Sequence, residues 1–167
     1  MKRFSLLSLL AFFCFASFAQ SNKEDVEMIQ AIYGKEKKAI VADFIMPPDD
    51  AKKTAFWSLY DSYETERKAL GQKRVALLEE YVNAYSSLDD KTTDDIMKQS
   101  MALQKSVDGL IVTYYDKIKT AVGVKQAAQF YHIESYLLSA TRIYILGSMP
   151  YIDNLEKMPP PPQPGKQ

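Results

Sequence analysis

Apolar positions recur along this chain at three- and four-residue steps over four long stretches, with Gly and Pro collected mainly at the joints between them. Val26, Ile29, Ile32/Tyr33, Ile40 and Phe44 form the first stripe. Ser21-Asn22-Lys23-Glu24 precedes it as a capping box, with Ser21 as N-cap and Glu24 at N3. Gly34 and the Lys35-Glu36-Lys37-Lys38 run interrupt the stripe and offer a site for a break. Met46-Pro47-Pro48 ends it, because Pro47 disfavours helical backbone at Met46, and Pro48 is placed to start the next helix.

The second stretch, residues 49–86, carries the clearest pattern. Phe56, Tyr63, Leu70, Leu77 and Ala84 recur every seventh residue, and Tyr60, Arg67, Arg74, Tyr81 and Leu88 form a second column beside them. That spacing keeps one seam facing a partner along two long helices. Nearly forty residues at about 1.5 Å each predict a rod of roughly 55–60 Å, with Gly71 its weak point. Residues 86–90 make a turn, and Asp89 or Thr92 caps the third helix. Asp94 and Asp95 complement its positive end. Its stripe runs through Ile96, Ser100, Leu103, Val107, Leu110/Ile111, Tyr114 and Ile118, and Gly123 stops it just past Val122. The fourth helix, residues 124–147, turns Phe130, Ile133, Leu137, Thr141 and Tyr144 inward and ends before Pro150. Nothing reads as a strand. The expected fold is all-α, about four long antiparallel helices in one domain over residues 20–150, and residues 151–167 form a Pro-rich disordered tail.

The N-terminus has a different pattern. Met1-Lys2-Arg3 is a basic n-region, and residues 4–18 are apolar except for Ser5, Ser8 and Ser17. Ser17-Phe18-Ala19 places small residues at −3 and −1 of a cleavage site before Gln20. An apolar core of roughly thirteen residues is too short to cross a bilayer of about 30 Å as a helix. Residues 1–19 are therefore expected to be a cleaved signal peptide, with an N-terminal anchor as the alternative. The mature chain is then exported, with the periplasm as its expected location and no transmembrane segment of its own. Cys14 is the sole cysteine, and the bulk of Phe13 before it excludes a lipoprotein signal. Cleavage removes Cys14, so disulfides, thiol nucleophiles and cysteine metal sites are not expected.

Without Lys2 and Arg3, the 21 basic side chains fall to 19 against 21 acidic ones. That balance argues against nucleic-acid binding. No P-loop, G-x-S-x-G, G-x-G-x-x-G or H-E-x-x-H motif is present, and His132 is the one histidine. The Asp49-Asp50, Asp89-Asp90 and Asp94-Asp95 pairs stand where helices begin, so capping accounts for them. No catalytic residue, cofactor or metal is expected.

Two side-chain sets stand out. Glu134 shares a helical face with Phe130, Leu137 and Thr141, and Arg67 and Arg74 interrupt a column of apolar and tyrosine residues. The pattern predicts a semi-buried ion pair between Glu134 and one of these arginines that fixes helix register. The alternative is a solvated glutamate at the stripe's edge. The Phe56-Trp57-Ser58-Leu59-Tyr60 cluster covers more of the helix than one stripe needs. Trp57 and Tyr60 are candidates for a partner-binding patch, with burial of Trp57 under another helix as the alternative.

Phe56-Trp57-x-Leu59-Tyr60-x-x-Tyr63-Glu64 and Val124-Lys125-Gln126-Ala127-Ala128-x-Phe130-x-x-Ile133-Glu134 together resemble the Spy/CpxP-like (LTxxQ-motif) periplasmic helical proteins, closest to a branch common in Bacteroidetes. The likeness spans roughly residues 35–150. At the two LTxxQ sites this chain has Met46-Pro47-Pro48-Asp49-Asp50 and Val122-Gly123-Val124-Lys125-Gln126, of which Gln126 alone keeps the final residue of the pattern. The resemblance implies an ATP-independent envelope chaperone or stress-response factor that binds unfolded or partner proteins in a helical cradle, with a homodimer as one arrangement. The alternative is a structural or regulatory adaptor that docks on a specific envelope protein through its seam.

Overall fold

A computed structural model describes residues 36–148. The expected signal peptide, the capping box at Ser21 and the Pro-rich tail lie outside the described residues. Among the described residues the chain forms four α-helices and no strand: α1 Lys37–Phe44, α2 Asp50–Ala84, α3 Asp90–Ala121 and α4 Val124–Ser148. A single 3-10 turn, Tyr85–Ser87, joins α2 to α3. No helix among the described residues is long and apolar enough to cross a membrane.

The helix ends follow from local chemistry. Asp49, in extended backbone, caps α2 by accepting from the Lys52 amide at 2.8 Å. The helix therefore starts at Asp50, one residue into the expected stretch 49–86. Asp89 caps α3 in the same way, accepting from the Thr92 amide at 2.7 Å, so it takes the role for which Thr92 was the alternative. At the α3–α4 joint the backbone of Gly123 has φ +134°, and its amide returns to the Ile118 carbonyl at 3.2 Å. The Gly123 carbonyl accepts from Ala127 and so opens α4 at the residue where α3 closes.

The helices α2, α3 and α4 run antiparallel in sequence, and α1 lies against α2 and α4. The core fills one end. Ile40, Val41 and Ile45 from the α1 region meet Phe56, Tyr60 and Tyr63 of α2, Leu110, Ile111, Tyr114 and Ile118 of α3, and Ala127, Phe130 and Leu137 of α4. Tyr63 is its hub, with ring centroids 5.0 Å from Phe130 and 5.4 Å from Tyr114, both edge-to-face. In α2 the two heptad columns face inward: Phe56, Tyr60, Tyr63 and Tyr81 are buried, and Arg67, Leu70, Arg74 and Leu77 are half-buried.

Three expected inward positions lie outside. Phe44 is 59% exposed, because α1 ends there and the extended backbone of Ile45 turns that side chain into the core instead. Tyr144 and Ser100 are exposed as well, near the far end of the bundle where the packing thins.

Candidate binding groove

Two features occupy the interior between the helices. The first is a polar knot in the packed end. Glu134 is 2% exposed, and its carboxylate accepts from Lys37 Nζ at 2.6 Å, Tyr63 Oη at 2.6 Å and Tyr60 Oη at 3.2 Å. Lys37 also donates to Glu64 Oε1 at 2.6 Å, and Glu64 accepts from Arg67 Nε at 2.8 Å. The Lys37 ammonium stands 5.1 Å from the Tyr63 ring centre. Burial pushes the Glu64 carboxyl up, but Lys37 and Arg67 outweigh it and hold the group at about 2. Burial, with Glu134 beside them, drives the Tyr60 and Tyr63 hydroxyls well above their ordinary value. Tyr114 is pushed up to about 12 by burial and by its hydrogen bond to Glu66.

Lys37 thus occupies the place expected of Arg67 or Arg74 against Glu134. Arg67 joins the same network one link away, through Glu64, and Arg74 lines a cavity of about 20 Å³ beside it. That cavity has room for a single water. Donors converge on both Glu134 oxygens, so the knot orders α1, α2 and α4 against one another. Lys37 lies in a charge run, which by itself points to a solvated face. Its position three residues before Ile40, on the same helical face, was the signal that it points inward.

Tyr60 is fully buried, so it presents no surface to a partner in this conformation. Trp57 is half-buried, packs edge-on to Phe56 and Tyr60, and has Lys38 Nζ 5.2 Å from its ring centre. His132 is exposed with its ring against Tyr131, and no cluster of three metal-binding side chains occurs among the described residues.

The second feature is an apolar groove at the other end, about 430 Å³ in volume. Leu77, Leu78 and Tyr81 of α2, Ile96, Met97, Leu103 and Val107 of α3, and Ile145 and Leu146 of α4 line it, with Arg74 and Arg142. Arg142 is tied to Asp108 at 2.8 Å. Exposed Val82, Tyr85, Met97, Met101 and Leu146 extend the apolar surface around its rim. The sequence showed the apolar columns but not the groove, because a stripe does not reveal the level at which α2, α3 and α4 lie against one another. No family model, curated protein or solved structure matches this chain.

Proposed function

We propose that this protein is an exported, non-enzymatic binding protein that holds apolar segments of unfolded or partner envelope proteins without ATP. The observation that carries this reading is the groove: among the described residues, about 430 Å³ of largely apolar space lies at one end of a helical bundle whose other end is densely packed. Met97 and Met101 supply adaptable apolar contacts, as suits varied clients. The likeness to Spy/CpxP-like proteins and the N-terminal leader support the exported, chaperone-like assignment from sequence alone.

The test is light scattering of a denatured, reduced client with the purified protein and no ATP. Near-equimolar suppression of aggregation is expected. Leu78→Asp and Met97→Asp should abolish it while circular dichroism stays helical. No suppression at excess protein would overturn the chaperone reading. The confinement of the groove to one place favours a second reading, a dedicated adaptor for one envelope protein. In that case crosslinking from Met97 in cells would capture a single partner, and the same two substitutions would release it.

A further inference from the structure

The turn between α1 and α2 carries an apolar tip that the packed end does not absorb. Extended backbone at Ile45 sends successive side chains to opposite sides. Ile45 is therefore 2% exposed, while Phe44 and Met46 leave on the other side, 59% and 75% exposed. The tip is held in place. Gln129 donates to the Phe44 carbonyl at 3.1 Å and Gln126 to the Met46 carbonyl at 3.4 Å. Pro47 and Pro48 restrict the backbone that follows. Val124, also exposed, opens the helix that supplies both glutamines. An apolar tip whose backbone is already fixed loses little conformational freedom when it docks.

We propose that this tip docks in the apolar groove of a second copy of this chain, joining copies head to tail. Within one chain the two features lie at opposite ends of α2. From Asp50, beside the tip, to Arg74, at the near edge of the groove, the helix runs about 36 Å. A contact between two different patches is heterologous, so it repeats into a ring or an open chain instead of closing as a two-fold dimer. The two surfaces match in chemistry. Leu77, Leu78, Met97 and Ile145 offer apolar walls to Phe44 and Met46, and Met97 adapts its shape to an aromatic ring. The charges match as well. The segment from Asp43 to Asp50 holds three exposed aspartates and no basic side chain, with Lys52 and Lys53 further along α2. Arg74 and Arg142 line the groove, and no Asp or Glu among the described residues does. A docked tip occupies the space a client needs, so assembly lowers the apparent affinity for clients. That consequence rests on the binding reading above; the docking itself does not.

The test uses the full reading frame carrying Cys14→Ser. Chains with Met46→Cys are mixed with chains with Met97→Cys and mildly oxidised, and a disulfide between the two species is expected. Met46→Cys mixed with Val112→Cys is the control, because Val112 is half exposed on α3 and does not line the groove. No bond, or equal bonding in both mixtures, would overturn docking. In sedimentation, the mass of the natural chain should rise with concentration above that of one chain. Met46→Asp, at an exposed site, should hold it at one chain with helicity by circular dichroism unchanged. A natural chain that stays single overturns the proposal, and so does assembly that persists in Met46→Asp, by placing the interface elsewhere. In a separate arm, at concentrations where the natural chain assembles, Met46→Asp should raise client holding per chain by about twofold or more. Unchanged holding, with assembly lost, overturns the competition alone. If neither protein holds a client, the disulfide and sedimentation results still decide docking, so the two readings fail separately.

Discussion

Glu134 is buried as a carboxylate beside an ammonium and two phenols, an arrangement that is stable only when every donor and acceptor is matched. Glu134→Gln removes the charge opposite Lys37 and should lower stability by about 1–3 kcal/mol, read from the denaturant midpoint. Tyr63→Phe deletes the 2.6 Å bond and should cost about 1–2 kcal/mol. The same knot sets two pH limits. Glu64 sits at about 2 when folded against an ordinary 4.5, so its stabilisation is present above 4.5 and is lost as pH falls from there toward 2. That loss is on the order of 2–3 kcal/mol, and Glu64→Gln should flatten it. Tyr60 and Tyr63 have hydroxyls raised above 10, so their stabilisation is present below 10 and is lost as pH climbs past it. Tyrosinate absorbance from these two rings should emerge together with unfolding, not before it.

Each helix is bounded by a feature that its own residues supply. Asp49 and Asp89 satisfy orphan amides at the starts of α2 and α3, and replacing either with Ala should lower the thermal midpoint. Gly123 is the joint between α3 and α4. A Cβ there would meet Gln126 Oε1 at an ordinary 3.4 Å, so space is not the obstacle. The φ of +134° is, and Gly123→Ala should cost about 1–2 kcal/mol in thermal melts. These boundaries were legible because capping and left-handed turns depend on residues next to one another in the chain. The second stretch, expected from residue 49, begins one residue later because Asp49 itself is the N-cap, the role its Asp49-Asp50 pair was expected to fill.

Among the described residues the bundle is asymmetric, with one end packed around Tyr63 and an apolar groove at the other. Amides of α2 beyond Arg74 and of α3 before Leu103 should therefore exchange with solvent well before those flanking Tyr63 and Tyr114, by hydrogen exchange. Uniform protection along both helices would contradict this gradient. The all-α class, the bodies of α2, α3 and α4 and the inward columns of α2 were settled by periodicity, because a helix reports its buried face every three or four residues. The burial of Glu134 was likewise visible from its face. Three things required the tertiary structure: Lys37 as its partner, the complete burial of Tyr60, and the groove between Leu78, Met97 and Ile145. Each depends on the level at which one helix lies against another, and no stripe in a single helix encodes that offset.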